Sequence, residues 1–351
     1  MLADIKSMTP TELRAEMLLL GEREFHAGQI FAWLTRGARD FDEMTDLSRA
    51  LREKLKTRYY LAPPEPERRR ESRLDGTIKY LWRLRDGERV ESVVMSYRHG
   101  NTICVSSQAG CRMGCAFCAS ALGGLSRNLT PSELLDQVIF SEKDCGKKIS
   151  NIVLMGIGEP LDNYDNVLRF LELASHADGM NIGMRHISLS TCGLTEKVDK
   201  LGDLGLQLTL SVSLHAPDDL TRTRLMPVNK TGGVAALMAS CRRYFEKTGR
   251  RISFEYALID GVNDTIRHAR ELCRLLRGAP WHLNLILLNN VAERELRPSS
   301  KESVAAFTKI LTDGHVNFTF RRRLGADIDA ACGQLRRSRI LSAPSERSGQ
   351  G

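Results

Sequence analysis

Three cysteines within eight residues constrain this chain more than any other feature. Cys111, Cys115 and Cys118 follow a C-x3-C-x2-C spacing, which places three thiolates on one short loop. Such a loop can hold three irons of a cubane cluster and leave the fourth iron open to a small molecule. A structural zinc site needs four closed ligands, usually in two pairs, and no matching second pair follows. The spacing therefore favours a [4Fe-4S] cluster with one open iron, with a zinc site or plain thiols as the alternative.

Length and charge leave room for an RNA-binding enzyme without requiring one. The chain has 351 residues, enough for one large α/β domain and a smaller one. Its 51 basic and 43 acidic residues give a net charge of +8. Arginines cluster at residues 68–73, 321–323 and 336–339. Clustered arginines suit phosphate contacts, although a solvated basic face explains any single cluster equally well.

Hydropathy and cysteine content predict the cellular compartment of the protein. No apolar stretch opens the sequence, and no run approaches the roughly 18 residues needed to span a bilayer. The nine cysteines form an odd set of which three lie in the loop. We therefore expect a cytoplasmic protein with no membrane segment, in a compartment where thiols stay reduced.

The first hundred residues predict two small units. Thr9, Pro10 and Glu12 form a capping box with proline at the first helical position, and helical spacing continues beyond it. We expect a helical, RNA-binding accessory domain over residues 1–62. A proline-rich break follows, and Asp86-Gly87 then separates two strand-like runs. Residues 63–98 are accordingly predicted as a linker and a β-hairpin extension.

From residue 99 onward, strand and helix patterns alternate, which indicates parallel βαβ units. The candidate strands are Thr102–Ser107, Asn151–Ile157, His186–Thr191, Gln207–His215, Arg251–Ile259, His282–Asn289 and Asn317–Arg322. We predict an α/β fold, a partial (β/α)6 TIM-type barrel over residues 99–338, with chemistry at the carboxyl ends of its strands. Residues 339–351 are predicted to be a disordered tail.

Polar or small residues stand at these strand ends. They are Gly158, Glu159, Ser190, Ser213, His215 and Asn289. Each one alone has an ordinary structural explanation, but together beside the cysteine loop they predict a binding site. Cys332 follows the last strand among small residues, where its thiol and backbone could be approached closely. A buried cysteine in a tight turn is the alternative for that position.

Four segments together resemble the RlmN/Cfr family of radical S-adenosylmethionine RNA methyltransferases. They are Cys104–Gln108 leading into the cysteine loop, Gly156–Pro160, Ser213–Pro217 and Asp327–Leu335. The resemblance implies a radical S-adenosylmethionine barrel with a [4Fe-4S] cluster on Cys111, Cys115 and Cys118. It implies cofactor contacts from Gly158, Glu159, Ser190, Ser213, Leu214, His215 and Asn289. The family has prolines where this chain has Leu287 and Asn290.

The resemblance also implies a mechanism with two S-adenosylmethionine molecules per turnover. Cys332 would take a methyl group from the first, and the cluster would cleave the second to a 5′-deoxyadenosyl radical. That radical would remove hydrogen from the methyl group, which would then add to an adenine ring. Glu91 would accept the ring proton. Cys104 would attack the Cys332 sulfur, which releases the product and leaves a disulfide.

The family implies an RNA substrate and an electron donor. RlmN-like members methylate adenine carbon 2 in 23S rRNA at the peptidyl transferase centre, and some also act on tRNA. Cfr-like members methylate carbon 8 and confer antibiotic resistance. Gly21–Ile30 and Met155–Tyr164 are more similar to the RlmN side. We expect a monomer served by a low-potential donor such as flavodoxin or ferredoxin; the alternatives are the carbon 8 enzyme, a non-catalytic iron–sulfur RNA-binding module and a radical enzyme acting on a small molecule.

Overall fold

The computed structural model describes residues 2–289, 291, 293–331 and 333–335. Cys332 and the predicted tail at residues 339–351 therefore lie outside the described residues. Within the described part, the strands are β1 (Ala3–Asp4), β2 (Tyr59–Tyr60), β3 (Glu65–Glu71), β4 (Ile78–Arg83), β5 (Arg89–Tyr97), β6 (Gly100–Cys104), β7 (Gln108–Gly110), β8 (Leu125–Asn128), β9 (Ile149–Leu154), β10 (Ile187–Thr191), β11 (Thr209–Ser213), β12 (Ser253–Leu258), β13 (His282–Leu287) and β14 (Phe318–Phe320).

The helices flank these strands. They are α1 (Pro10–Leu19), α2 (Phe25–Thr35), α3 (Arg49–Arg58), α4 (Pro131–Cys145), α5 (Tyr164–Ser175), α6 (Thr195–Asp203), α7 (Asp219–Leu225), α8 (Gly233–Thr248), α9 (Ile266–Leu275) and α10 (Lys301–Asp313). No helix in the described part of the chain is long and apolar enough to cross a bilayer.

Seven parallel strands form the main part of the central sheet. Their order is β6, β9, β10, β11, β12, β13 and β14, so each strand lies beside the next one of the series. Parallel neighbours need a crossover, and helices α4 to α10 supply the six connections. The sheet stays open, because β14 forms one of its edges. The predicted α/β fold with a partial (β/α)6 barrel is confirmed.

An antiparallel extension continues the sheet beyond β6. Strands β5, β4 and β3 are added in that order, and the predicted hairpin corresponds to β4 and β5. We did not predict β3, because its sequence (EPERRRE) has no apolar alternation. The strand is mostly exposed, lies at the sheet edge and shifts register between Pro66 and Arg68. Charged residues and proline are typical of an edge strand that must not pair further.

The N-terminal helices share a core with the barrel. Thr9 and Glu12 form both bonds of the predicted capping box at the start of α1. Buried side chains of the three helices, such as Leu13, Ile30 and Leu51, belong to the same continuous core as the barrel. The predicted domain boundaries at residues 62 and 98 stay predictions.

The segment after β14 contacts two distant parts of the chain. Gly325 N donates to Asp75 Oδ2 at 2.9 Å, and Ser72 Oγ donates to Asp327 Oδ1 at 2.6 Å. Farther along, Ser120 Oγ donates to the Leu335 carbonyl at 2.7 Å. The segment thus joins the antiparallel extension to the turn that follows the cysteine loop.

Candidate active site

The cysteine loop leaves β7 at a position that only glycine can occupy. Gly110 has φ +86°, and a Cβ there would lie 1.9 Å from the Gly124 carbonyl oxygen. The loop is held by backbone bonds from Cys111 N to Gly124 O (3.0 Å) and from Ala116 N to Leu225 O (2.9 Å). This anchoring fixes the three cysteines at the wall of a cavity.

All three loop cysteines line that cavity, which opens at the carboxyl ends of the parallel strands. Burial raises the pKa of the Cys111 thiol to about 12 and also raises that of Cys115. Thiols in such a place ionise when a metal supplies positive charge. In a cluster each thiolate binds its own iron, so three cysteines of one loop at the wall of one cavity fit a [4Fe-4S] cluster.

Glu159 offers the same cavity a buried negative charge. Its side chain accepts hydrogen bonds from Cys192 N (2.7 Å) and Leu161 N (3.0 Å). Burial raises the pKa of Glu159, and this carboxylate makes no salt bridge with any described residue. A buried carboxylate backed by backbone donors is suited to an ammonium group. The site therefore fits the amino group of S-adenosylmethionine.

Gly158 explains how the chain reaches this position. It has φ +107°, and a Cβ would lie 2.8 Å from Gln108 N and 2.8 Å from Ser107 Oγ. Only glycine lets the turn after β9 pass so close to the segment that leads into the cysteine loop. The predicted pair Gly158 and Glu159 is thus brought against the loop by β9.

His215 is held in the cavity wall as a neutral ring. Its φ is +55°, its Nδ1 accepts a bond from Ala257 N at 2.9 Å, and its ring contacts Phe117 edge-on. Burial and, secondarily, Arg222 lower the pKa of His215 to about 3. Because Nδ1 is an acceptor, the ring proton lies on Nε2. His215 therefore gives the cavity a neutral donor.

The other predicted cofactor contacts divide into two groups. Ser190, Ser213 and Asn289 line the cavity with His215. The Leu214 side chain instead belongs to the main hydrophobic core, so only its backbone lies near the strand end. Leu287, at a family proline position, pairs with Leu258 as the last residue of β13, and Asn290 lies outside the described residues.

Glu91 and Cys104 lie away from the cavity lining but close to the C-terminal segment. Val93 pairs with Cys104, so Glu91, two residues before Val93, shares the Cys104 face of the sheet. Glu91 is 4% exposed and forms an ion pair with Lys79, and Cys104 packs with Leu335 and Ala330.

Cys332 itself lies outside the described residues, and only its neighbours can be placed. Gly333 lines the cavity, and its carbonyl accepts a bond from Ala119 N at 2.8 Å. No disulfide joins two of the described cysteines. The expected disulfide between Cys104 and Cys332 stays a prediction.

Comparison with known proteins agrees with this geometry. Residues 105–275 match the family model "Radical SAM superfamily", and residues 3–61 match "Ribosomal RNA large subunit methyltransferase N-terminal domain". A protein of Lachnoclostridium phytofermentans, "Probable dual-specificity RNA methyltransferase RlmN", is 51% identical over 95% of this chain and 94% of its own. A protein of the same name from Alkaliphilus oremlandii is 50% identical over 96% of this chain and 98% of its own. The chain belongs to the RlmN family.

A solved structure supports the same assignment. The crystal structure of a radical SAM methyltransferase from Sphaerobacter thermophilus matches with a TM-score of 0.91 and 43% identity, and the match covers 96% of this chain and 100% of that one. This RlmN-family chain is therefore a radical S-adenosylmethionine RNA methyltransferase. Its family implies a [4Fe-4S] cluster and S-adenosylmethionine as cofactors and RNA as substrate.

Sequence reasoning missed Arg222, a buried cation behind the strand ends. It is 1% exposed and donates to the carbonyls of Cys192, Ser213 and Leu214. Nothing in the local pattern of α7 distinguishes it from the exposed Arg224.

Sequence reasoning also missed Glu255, a cavity-lining carboxylate on β12. It accepts hydrogen bonds from Asn284 Nδ2 (2.9 Å) and Arg321 (3.4 Å), while burial raises its pKa. A charge inside the apolar run Phe254-Glu255-Tyr256 was the signal that could have found it.

Proposed function

We propose that this enzyme methylates carbon 2 of an adenosine in 23S rRNA at the peptidyl transferase centre, and an adenosine of tRNA. The observation that carries the proposal is that Cys104 packs with Ala330 and Leu335, while Lys79 links Glu91 to the Asp329 carbonyl. Covalent methyl transfer to an unreactive ring carbon needs three groups: a base, a methyl-carrying thiol and a second thiol. The names of the relatives, "dual-specificity RNA methyltransferase", support two classes of RNA substrate.

The cavity residues bind and orient the cofactors. Cys111, Cys115 and Cys118 would hold the cluster, and Glu159 would bind the ammonium group of S-adenosylmethionine. Ser190, Ser213, His215, Asn289 and the Leu214 backbone would complete the contacts. When bound, these cofactors supply the methyl group and the radical chemistry that carbon 2 requires, with two S-adenosylmethionine molecules used per turnover.

The residues on the C-terminal side complete the transfer. Cys332 carries the methyl carbon, which becomes bonded to carbon 2, so protein and RNA are joined for part of the cycle. Glu91 accepts the ring proton. The Cys104 thiolate then attacks the Cys332 sulfur: an S–S bond forms, the S–C bond breaks with its electron pair on the carbon, and that carbon takes up a proton to become the methyl group of the RNA. A dithiol reductant then supplies two electrons and two protons to the disulfide, which restores both thiols.

Exposed arginines around this face suit an RNA substrate. Arg68, Arg70, Arg73, Arg322 and Arg323 are exposed and flank the antiparallel extension and the end of β14. Their charges would contact phosphates, while the target base is extruded into the site. We further propose that the enzyme acts in the cytoplasm as a monomer, with a flavodoxin or ferredoxin as electron donor.

The test is nucleoside mass spectrometry of rRNA and tRNA from cells that lack their own enzyme. Cells receive this chain, its Cys332→Ala variant or, as a matched control, its Cys145→Ala variant. We expect 2-methyladenosine with the native chain and the control, and none with Cys332→Ala. Formation of 8-methyladenosine would assign the chain to the carbon 8 reaction instead. No methyladenosine from cluster-loaded protein would refute RNA methylation and leave the RNA-binding module.

A further inference from the structure

Lys79 connects two parts of the proposed machinery that are far apart in the chain. Its Nζ lies 2.9 Å from Glu91 Oε1 and also donates to the Asp329 carbonyl oxygen at 2.9 Å. The side chains of Lys79 and Glu91 are only 11% and 5% exposed. One ammonium group thus holds the candidate base and the backbone three residues before Cys332.

The pairing geometry makes this bridge specific to Lys79. On β4, Lys79 pairs directly with Val93 of β5, so its side chain emerges on the face that carries Glu91 and Cys104. Arg83, four residues later on the same strand, is exposed and pairs with Glu65 at the sheet edge. The two cations share a strand, but only Lys79 contacts the C-terminal segment.

The segment needs such a contact, because its backbone is irregular. Gly325 and Asp329 have positive φ values of +62° and +52°. Its internal bonds run from the amides of Ile328 and Ala330 to the Gly325 carbonyl. A non-glycine residue with positive φ is held there by its surroundings, and the bond from Lys79 to the Asp329 carbonyl is part of that support.

We propose that Lys79 is a positioning residue, which holds the Glu91 carboxylate in one orientation and ties it to the Asp329 backbone of the C-terminal segment. The inference rests on the proposed function, because it assigns Lys79 to the step in which the RNA adduct is resolved.

Two readouts test the role, one of them independent of catalysis. In protein without cofactors, hydrogen exchange of the peptide that contains Ile328 and Ala330 should become about tenfold faster in Lys79→Met, since one charge-assisted bond is lost. In the loaded enzyme, Lys79→Met should methylate Cys332 as the native chain does, but its RNA adduct should persist about tenfold longer. Lys79→Arg should restore both readouts substantially, and Arg83→Met should change neither.

The outcomes separate this inference from the proposed function. If either readout is unchanged in Lys79→Met, if Arg rescues neither, or if Cys332 methylation falls as much as adduct resolution, the positioning role is wrong. If the native chain forms no methyladenosine at all, the proposed function fails and this inference falls with it. If the native chain is active and Lys79→Met matches it in both readouts, only the inference is wrong and the proposed function stands.

Discussion

Replacement of Arg222 by methionine should destabilise the protein more than any single surface change. The guanidinium is 1% exposed and donates to the carbonyls of Leu214 (3.0 Å), Cys192 (2.8 Å) and Ser213 (2.9 Å). It also donates to Asn229 Oδ1 at 2.8 Å. Methionine fills a similar volume but donates nothing, so the acceptors on Cys192, Ser213 and Asn229 lose this donor, whereas the Leu214 carbonyl still accepts from Ala216 N.

The magnitude follows from those three acceptors. Each buried acceptor left without a donor costs about 1 kcal/mol or somewhat more, which gives a loss of about 3 kcal/mol in the free energy of unfolding. The methionine variant no longer has the desolvation penalty of a buried charge, which offsets part of this loss. Arg222→Lys keeps the charge but not the planar fork, so we expect a loss of about 2 kcal/mol. Arg224→Met, on the exposed face of the same helix, should cost no more than about 0.5 kcal/mol.

Urea unfolding of the cluster-free protein, followed by circular dichroism, measures these differences at a common m-value. Arg222 also holds the ends of β10 and β11, where Cys192 and Ser213 line the cavity. S-adenosylmethionine should therefore bind more weakly to cluster-loaded Arg222→Met, as measured by equilibrium dialysis. A loss of less than about 1 kcal/mol, or one matched by Arg224→Met, would refute the reasoning.

Three further predictions concern the site. Cys104→Ala should purify covalently attached to RNA, because the resolving thiol is gone, whereas the control variant Cys273→Ala should purify free of RNA. If Cys104→Ala purifies free of RNA but still cleaves S-adenosylmethionine, Cys104 is not the resolving thiol. Glu159→Gln should weaken S-adenosylmethionine binding about tenfold or more in equilibrium dialysis, since a charge-assisted bond is lost; unchanged affinity would contradict that contact. The pKa of His215 is lowered to about 3, so its neutral form stabilises the fold above pH 6.5, and that stability falls as the pH drops from 6.5 towards 3. Between pH 6.5 and 5 the cluster-free protein should lose about 2 kcal/mol through this group, and His215→Asn should flatten the urea-unfolding profile over that range.

The features that the sequence predicted correctly are local ones. Capping boxes, the Asp-Gly turn and alternating strand patterns each depend on residues close together in the chain. The carboxyl ends of parallel strands meet at one edge, so Glu159, Ser190, Ser213 and His215 could be expected at one cavity once the strands were recognised.

What the sequence did not reveal depends on contacts between distant residues. The Lys79 ammonium meets a carbonyl 250 residues later, and no local pattern encodes that meeting. Arg222 is buried because three carbonyls at the ends of β10 and β11 converge on it, whereas the local pattern of its own helix does not distinguish it from Arg224. Strand β3 forms because β4 offers a free edge, although its own residues are polar.

The described part of the C-terminal segment links two walls of the open barrel. On one side, Gly333 and Leu335 accept bonds from Ala119 and Ser120, which follow the last cluster cysteine. On the other side, Asp329 accepts a bond from the Lys79 ammonium that also holds Glu91. A segment tied to both walls limits the distance between them, because neither wall can move without breaking these bonds. The described residues on either side of position 332 are therefore bonded both to the turn after the cysteine loop and to Lys79.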